Sequence, residues 1–494
     1  MDRITAEKIL ESDYDIIVLG SGVAGLAAAL SGSEHGAHVL VMEKAPPSQR
    51  GGNSRRSGSF RVAYGDIKSL KVLVKDLEGK AIQVPAYTED DYYQDLARVT
   101  NEKTDPELAR TLVSNSWETL LWLRGLGVEF ELSLMDTVKV GNSFFVTPGS
   151  ALRVKGGGEG EALTKNLFQR VEEQQIPVIY EAQVTSLFRN EVGRICGIIL
   201  QAGGKSRVIH AQAVVLACGG FEANTGMRTR HLGPEWEHVK IRGTSHNTGD
   251  GIRLALEAGA DMAGDWGGAH AGMIDAKAPD VWSTNRAIRR SYHYGIIVNT
   301  EGKRFFDEGE DFEPLLYAKL GRAVLRQPGG IAFQIFDDKV KHLLSPYYSS
   351  ATQVIASSIE ELAAQLHIDP AALRATIAEF NQAILDVTFN PGIKDGKGTP
   401  GITPPKSNWA QPIDALPFRA FPGVCGITFT FGGVRTDGRS RVISKEGQPI
   451  PGLYAAGATT GGLLYDHYPL GASLMQAAVF GRIAGREAAT IREA

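Results

Sequence analysis

The feature that most constrains this chain is a glycine-rich turn near its N-terminus. Residues 16–19 form a short apolar run, which is typical of a parallel strand buried on both faces. The turn GSGVAG follows at 20–25, and the alanine- and leucine-rich residues 26–30 continue as a predicted helix. A second apolar run at 38–42 ends in Glu43. This order predicts a strand–helix–strand unit, and with it a fold of the α/β class.

The three glycines of the turn each meet a need of dinucleotide binding. Gly20 permits the tight turn, Gly22 lets the backbone approach a pyrophosphate, and Gly25 lets the helix pack closely on the strand. Free amides at the start of the helix then hold the pyrophosphate, because the helix dipole favours negative charge there. Glu43 stands about twenty residues on, where an acid accepts hydrogen bonds from ribose hydroxyls. A tight turn in an unrelated α/β protein is the alternative, but the flanking strands and the acid favour a dinucleotide site.

The rest of the chain favours FAD over a nicotinamide cofactor. The strand–helix–strand unit occurs once, whereas a nicotinamide enzyme usually continues directly into a doubly wound sheet. Here a polar, glycine-rich loop follows at 49–58, and the segment PGLYAAG at 451–457 repeats the strand-then-glycine pattern. This split arrangement suits a long cofactor that lies across the domain.

Length and composition exclude several other classes of protein. A chain of 494 residues exceeds one typical hydrophobic core and predicts at least two domains. The net charge of −4 provides no positive field for a nucleic acid. The three cysteines (Cys196, Cys218 and Cys425) argue against a disulfide framework, a metal site and an iron–sulfur cluster, and predict a cytoplasmic location. The apolar stretch at 16–30 is too short and glycine-rich for a transmembrane segment.

Local signals place several elements further along the chain. Residues 178–215 are expected to form short antiparallel strands that return to the main sheet. Helix starts are expected at Thr104, at Ser357 and at Asp369, the first two with capping-box spacing and the last followed by proline.

Several segments match one known family along nearly the whole chain. They are GSGVAG at 20–25, EKA at 43–45, GGNS at 51–54, NTGDG at 247–251, NTEGKRF at 299–305 and PGLYAAG at 451–457. On these residues the chain resembles the fumarate reductase/succinate dehydrogenase flavoprotein superfamily. Within it the chain looks most like the tricarballylate dehydrogenase branch. The segments behind this finer match are GGNS with Arg61, RGT at 242–244, DW at 265–266, DEG at 307–309, TFTFGG at 428–433 and YP at 468–469.

The resemblance implies a Rossmann-like FAD-binding domain that is discontinuous, with an inserted α+β cap domain. We expect the FAD-binding domain to comprise residues 1–264 and 426–494, and the cap to comprise residues 265–425. The substrate is then expected between the cap and the flavin ring.

The resemblance also implies which residues contact the cofactor. Glu43 is expected at the adenosine ribose, Asn53 and Ser54 near the flavin ring, and Ser473 and Leu474 near its pyrimidine end. No histidine stands beside Gly51, where related proteins attach FAD covalently, so non-covalent FAD is expected. The full expected set is Gly20, Ser21, Gly22, Ala24, Gly25, Glu43, Lys44, Ala45, Gly51, Gly52, Asn53, Ser54, Val184, Ala217, Gly219, Asp250, Gly457, Ala458, Ser473 and Leu474.

The chain departs from fumarate reductases at the residues that handle substrate. The expected place of the arginine proton donor is near Phe312, a substrate histidine is replaced by Phe429, and a late arginine by Pro469. The position of the first substrate histidine is retained as His270. Plain fumarate reduction is therefore not expected.

Forming or reducing a C=C bond beside an acid needs a proton-transfer group and a cationic clamp. Arg61, Arg242, Arg289 and Arg290 are the clamp candidates, since arginine binds carboxylates through two parallel hydrogen bonds. His270 is the best histidine candidate, ahead of His246 and His467. Tyr468 is expected to donate to a substrate oxygen or to act as the base. The alternatives are structural ion pairs for the arginines and a packed ring for Tyr468.

The preferred interpretation is an FAD-dependent dehydrogenase or reductase that acts on a CH–CH or C=C bond beside a carboxylate. The resemblance implies tricarballylate and cis-aconitate as the pair. The alternatives are a 3-ketosteroid dehydrogenase-like or enone-reducing enzyme, and a flavin-binding partner subunit without turnover of its own. Since no nicotinamide domain is visible, an electron-transfer protein, a quinone-linked acceptor, a free acceptor or oxygen would exchange electrons with the flavin.

Overall fold

The computed structural model describes residues 11–74, 82–132, 137–140, 143–146, 149, 152–156, 160–202, 205–281 and 285–491. The strands are β1 Tyr14–Leu19, β2 Val39–Met42, β3 Ser59–Phe60, β4 Ile82–Gln83, β5 Phe130–Leu132, β6 Thr137–Val140, β7 Ser143–Val146, β8 Leu152–Val154, β9 Val178–Ile179, β10 Val184–Arg189, β11 Ile195–Ala202, β12 Lys205–Leu216, β13 Lys240–Ile241, β14 Met262–Ala263, β15 Ala269–Asp275, β16 Ile296–Val298, β17 Ile331–Phe336, β18 Val354–Ala356, β19 Phe418–Thr430, β20 Gly433–Val434, β21 Arg441–Ile443 and β22 Pro449–Ala455.

The α-helices are α1 Val23–Glu34, α2 Ile67–Lys71, α3 Glu89–Val99, α4 Pro106–Gly125, α5 Glu161–Glu173, α6 Thr225–His231, α7 Asp250–Glu257, α8 Tyr317–Leu325, α9 Ile359–Leu366, α10 Pro370–Gln382 and α11 Ala472–Ala489. Within the described residues, no helix is both long and apolar enough to cross a bilayer.

The first sheet has eight strands and is built around β1. The main path is β10-β11-β12-β1-β2-β9, and β22 pairs with both β12 and β21. Strand β1 runs parallel to β12 and to β2, and β12 runs parallel to β22. The apolar run at 16–19 is buried, as a parallel strand covered on both faces requires. The predicted antiparallel excursion is also present, because β10, β11 and β12 pair in antiparallel order before β12 joins β1.

Helix α1 packs against the C-terminal helix α11 through small residues. A Cβ added to Gly481 would lie 2.4 Å from the carbonyl oxygen of Ala24. A Cβ added to Gly485 would lie 2.1 Å from the carbonyl oxygen of Ala28. Both helices can therefore approach at backbone distance, which brings their N-termini to the same edge of the sheet.

The second sheet has six strands and belongs to the middle of the chain. Its path is β13-β19-β17-β16, with β15 and β18 also paired to β19. It begins earlier than the expected cap at 265–425, because Lys240 and Ile241 pair with Gly426 and Ile427 of β19. The sheet thus draws on residues 240–430. The predicted α/β class is confirmed, and the first sheet combines strands from both ends of the chain, since β22 pairs with β12.

Two expected helix starts shift by one residue. Asp105, not Thr104, caps α4, since its carboxylate accepts from the amides of Glu107 and Leu108. Ser358, not Ser357, caps α9, and Glu361 instead reaches back to Ser357. The cap at Asp369 is confirmed.

Candidate active site

A single large cavity connects the carboxyl ends of β1, β2 and β12 with the second sheet. On one side it is lined by the glycine-rich turn, the end of β2 and the loop at 52–59. On the other side it is lined by residues of β15, α8 and β19. In open α/β sheets, ligands bind outside the carboxyl ends of the strands, which is where this cavity begins.

The turn at 20–25 has the close contacts that its glycines predict. Gly20 has φ +102°, and a Cβ there would lie 2.4 Å from the carbonyl oxygen of Ala217. A Cβ on Gly25 would lie 1.9 Å from the carbonyl oxygen of Gly20, so Gly25 is a packing residue and does not line the cavity. A Cβ on Gly22 meets no protein atom closer than the Ser54 Oγ at 3.5 Å. Gly22 thus leaves room for a ligand against the backbone.

Glu43 is fixed at the end of β2 by three donors. Its carboxylate accepts from the Ser21 amide at 2.9 Å, the Ser21 hydroxyl at 2.5 Å and the Ala45 amide at 2.7 Å. The neighbouring Lys44 binds Asp250 at 2.8 Å and the Thr248 hydroxyl at 2.6 Å. The acid expected to bind a ribose is thus held at the edge of the turn by donors of the protein itself.

The residues present fit FAD. Helices α1 and α11 both begin at the cavity after a glycine cap (Gly22 and Gly471), without a side-chain cap or an acid in the first turn. Such ends attract phosphate and carbonyl oxygens. The residues that would hold the cofactor are the turn, Glu43, the loop at 52–54, and Ser473 with Leu474.

Most of the expected cofactor residues line the cavity. Gly25 and Gly51 do not; the Gly51 amide donates to the Ser21 hydroxyl at 3.2 Å. The lining members of the expected set are Gly20, Ser21, Gly22, Ala24, Glu43, Lys44, Ala45, Gly52, Asn53, Ser54, Val184, Ala217, Gly219, Asp250, Gly457, Ala458, Ser473 and Leu474.

Two tyrosines and a histidine meet on the far side of the cavity. The hydroxyls of Tyr317 and Tyr468 lie 2.5 Å apart, and the Tyr317 hydroxyl lies 3.3 Å from His270 Nε2. All three side chains are buried and line the cavity, and Phe429 packs edge-on against His270 and Tyr468. The arrangement is a continuous path for proton transfer between three side chains.

Burial sets the protonation of this trio. It lowers the pKa of His270 well below its ordinary value, with a further contribution from Arg242. Burial also raises the pKa of Tyr468 above its ordinary value, and that of Tyr317 well above it. At neutral pH the histidine is therefore uncharged and both hydroxyls keep their protons.

The arginines expected to clamp a substrate separate into two groups. Arg242 and Arg290 line the cavity, where Arg290 pairs with Glu313 and its guanidinium lies 5.0 Å from the centre of the Tyr317 ring. Arg242 follows β13, and its amide bonds to the Ile427 carbonyl at 2.7 Å. Both positions come from the second sheet and its connections.

Arg61 and Arg289 do not meet the expectation. Arg61 is fully buried outside the cavity lining, where it binds Asp95 at 3.1 Å, the Tyr87 hydroxyl at 2.7 Å and the Leu470 carbonyl at 3.0 Å. Arg289 is buried and binds Asp275 at 2.6 Å. Both positively charged groups are thus used in structural ion pairs.

Of the remaining positions that the sequence analysis discussed, one lines the cavity and two do not. His246 lines the cavity and binds Gln49 at 2.8 Å, whereas His467 is buried against the Leu315 carbonyl and has a pKa lowered by burial to about 4. Phe312 packs on Trp409 and does not line the cavity.

Tyr317 is the functional candidate that sequence reasoning missed. It stands five residues after Phe312, at the first position of α8, and reaches the site because α8 packs on β15. A Cβ on Gly321 of α8 would lie 2.1 Å from the carbonyl oxygen of Ala271. The signal that was available is a tyrosine and a glycine one helical turn apart on one face. The sequence reasoning likewise missed Asn247, Thr244 and Thr428, which also line the cavity.

Fold and cavity together define a flavin-binding protein, and comparison with known proteins identifies the family. The family described as FAD binding domain matches residues 15–474. NADH:acrylate oxidoreductase of Vibrio harveyi is 27% identical, over 98% of this chain and 51% of that protein. Fumarate reductase (cytochrome) of Shewanella frigidimarina is 28% identical, over 96% and 77%. 3-Oxosteroid 1-dehydrogenase of Mycolicibacterium smegmatis is 26% identical, over 97% of each chain.

A solved structure agrees with these relatives. The open conformation of a flavocytochrome c3 fumarate reductase superposes with a TM-score of 0.70 and 25% identity, covering 99% of this chain and 81% of that one. The chain belongs to the FAD binding domain family, in the fumarate reductase/succinate dehydrogenase flavoprotein superfamily. The relatives are named as an acrylate oxidoreductase, a fumarate reductase and a 3-oxosteroid 1-dehydrogenase. The chain spans about half the length of the acrylate oxidoreductase, 51%.

Proposed function

We propose that this protein interconverts a CH–CH and a C=C bond beside a carboxylate of a small organic acid. The observation that carries the proposal is the Tyr317–Tyr468 pair, with hydroxyls 2.5 Å apart, on the same cavity wall as Arg242 and Arg290. Arg242 supplies the charge that orients an acid, Arg290 adds hydrogen-bond donors although Glu313 pairs with its charge, and the tyrosines supply the proton. Tricarballylate, with cis-aconitate as its product, is the first pair to test.

When bound, FAD exchanges a hydride with the substrate at its N5 atom. The chain itself must bind the acid, exclude water and move a proton. Arg242 and Arg290 would bind the carboxylate, and uncharged His270 would hydrogen-bond to a substrate oxygen or to Tyr317. Tyr468 would exchange the proton with the substrate carbon, and Tyr317 would relay it. Because both hydroxyls rest in the protonated form, reduction of a C=C bond starts from the resting state.

A ketone substrate is the second candidate, and the apolar side chains in the cavity wall favour it. Phe429 and Ile288 line the cavity together with the two tyrosines, and Phe429 stands where the family resemblance implies a histidine. A tyrosine pair is also able to donate to a keto oxygen. The 3-oxosteroid dehydrogenase among the relatives matches the chain over nearly its whole length, which supports this reading.

Anaerobic titration of the FAD-loaded protein separates the candidates. Tricarballylate is expected to bleach the visible flavin absorbance, and cis-aconitate to restore it after chemical reduction. Bleaching by a 3-ketosteroid but by no acid would move the proposal to the ketone. If no acid or ketone changes the spectrum, the chain is a flavin-binding partner subunit. The Arg242→Met variant removes one cation of the cavity wall. It should weaken the bleaching of flavin absorbance by acids but not by ketones.

We also propose that FAD is held without a covalent bond and exchanges electrons with a separate electron-transfer protein or a quinone-linked acceptor. Two relatives are longer than this chain, and their names specify NADH and a cytochrome. Acid precipitation should release the flavin into the supernatant. Flavin retained in the pellet would contradict non-covalent binding.

A further inference from the structure

A buried acid lies directly behind the wall of the FAD cavity. Glu222 follows β12, is fully inaccessible to solvent, and is not among the residues that line the cavity. Its Oε1 accepts from Asn53 Nδ2 at 2.8 Å and from Asn247 Nδ2 at 2.7 Å. Both asparagines line the cavity. Glu222 therefore connects two side chains of the cavity wall that are far apart in sequence.

The contacts fix how each amide is turned. An ionised carboxylate only accepts hydrogen bonds, so both asparagines must present their NH2 groups to Glu222. Asn53 Nδ2 also donates to the Thr428 carbonyl at 2.5 Å, and Asn53 Oδ1 accepts from the Thr244 amide at 2.7 Å. Both N–H groups of the Asn53 amide are thus engaged, and its Oδ1 retains one acceptor position. For Asn247, the bond to Glu222 engages one amide N–H and so sets the direction in which Oδ1 points.

Glycines make the room that this cluster needs. A Cβ on Gly243 would lie 2.1 Å from Asn53 Oδ1, and one on Gly219 would lie 2.6 Å from Asn247 Nδ2. A Cβ on Gly220 would lie 2.7 Å from Glu222 Oε2. Since a side chain at any of these positions would displace the carboxylate or an amide, the arrangement is built into three backbone segments.

Among the residues that the structure describes, Glu222 forms no salt bridge. The nearby Arg228 directs its guanidinium to backbone carbonyls, including that of Glu222 at 2.6 Å and that of Trp236 at 2.9 Å. Asn53, Asn247 and Thr430, which face the acid from the other elements packed on it, are neutral. Among the described residues, Glu222 Oε2 has no hydrogen-bond partner. Burial raises the pKa of Glu222 to about 7.

We propose that Glu222 is a positioning residue of the FAD site, which holds the amides of Asn53 and Asn247 in the orientation that the bound cofactor meets. Its hold is stronger when it is ionised, because hydrogen bonds to a charged acceptor are about twice as strong as neutral ones. FAD should consequently bind more tightly above the pKa of Glu222 than below it. The proposal depends on FAD binding, which the proposed function also requires, but not on any substrate.

The test measures the dissociation constant of FAD by quenching of its fluorescence, in wild type and in Glu222→Gln, from mildly acidic to mildly alkaline pH. In wild type the affinity should rise by about tenfold through neutral pH, as expected when two hydrogen bonds gain a charged acceptor. Glu222→Gln should bind FAD weakly at every pH, and should equal wild type at the acidic end. Glu257→Gln, an exposed acid of α7, is the matched control and should follow wild type.

His246 precedes Asn247 in the chain and is itself titratable, so His246→Gln is measured as well. Loss of the pH dependence in His246→Gln but not in Glu222→Gln would overturn the proposal. A flat wild-type profile would also overturn it, without need of a folded variant. If wild type took up no FAD at all, the proposed function would fail instead, which keeps the two outcomes distinct.

Discussion

The two sides of the cavity are assembled in different ways. The core of the cofactor side is built within about thirty residues, where strand, turn, helix and strand follow each other and each supplies a part. The substrate side is built from β15, α8, β19 and the segment before α11, which are distant in sequence. The comparison teaches that local backbone geometry fixes the cofactor, whereas packing between remote segments fixes the chemistry. Substitutions should therefore affect cofactor binding and turnover separately.

The strongest test of this separation is Gly25→Ala. The added Cβ would lie 1.9 Å from the carbonyl oxygen of Gly20, so the turn must open or α1 must move. We expect no FAD-bound protein, checked by the flavin spectrum after reconstitution. Gly125→Ala is the control, since its Cβ would meet nothing within 4 Å. Normal flavin content in Gly25→Ala would show that the turn is not the determinant of cofactor binding.

Tyr468→Phe, on the substrate side, should lower turnover and leave cofactor binding intact. It removes the hydroxyl that bonds to Tyr317 but keeps the ring, so FAD should stay bound with an unchanged spectrum. Loss of a proton-transfer group costs about a hundredfold to ten-thousandfold in rate. Turnover of the identified substrate by stopped-flow flavin absorbance measures the effect. A variant with wild-type turnover would remove Tyr468 from the mechanism.

Arg61→Met tests the arginine that sequence reasoning assigned to the site and the structure assigns to packing. Breaking a buried ion pair by removing one partner costs about 3–5 kcal/mol of folding free energy. We expect the variant to lose stability in urea unfolding, while KM of the folded fraction stays near wild type. Arg374→Met removes an exposed pair with Glu360 and should cost under about 1 kcal/mol. A large rise in KM for Arg61→Met would return this arginine to the substrate site.

The smallest effect concerns pH. Since burial raises the pKa of Tyr468 above 10.0, its hydroxyl keeps the proton through neutral pH. Reduction of a C=C bond uses the protonated form, so its rate should stay flat near neutrality and fall only under strongly alkaline conditions. Dehydrogenation uses the deprotonated form, so its rate should rise by up to about tenfold per pH unit. A reduction rate that already falls with rising pH at or below neutrality would point to a histidine as the proton-transfer group.

The cofactor side shows what the sequence predicted well. The glycine positions, Glu43, the loop at 51–54 and the late segment at 457–458 all follow from patterns that are contiguous in the chain. Gly25 and Gly51 fall in the correct segments yet lie behind the lining, because a pattern locates a turn but does not resolve which atoms face the ligand.

The substrate side shows where sequence reasoning stops. Nothing in the sequence distinguishes Arg61, which is buried against Asp95, from Arg242, which lines the cavity. Tyr317 and Tyr468 are 151 residues apart, and Glu222 and Asn53 are 169 residues apart. The contacts within each pair depend on how the second sheet packs over the first.

The sequence by itself determined the dinucleotide-binding unit, because its hydrogen bonds and steric limits operate within neighbouring residues. It also determined the family, through motifs spread along the chain. Only the tertiary structure decided which charged and hydroxyl groups are buried, which partners they have and in which protonation state they rest. The physical reason is that desolvation and long-range pairing depend on the surroundings in space, which no local pattern records.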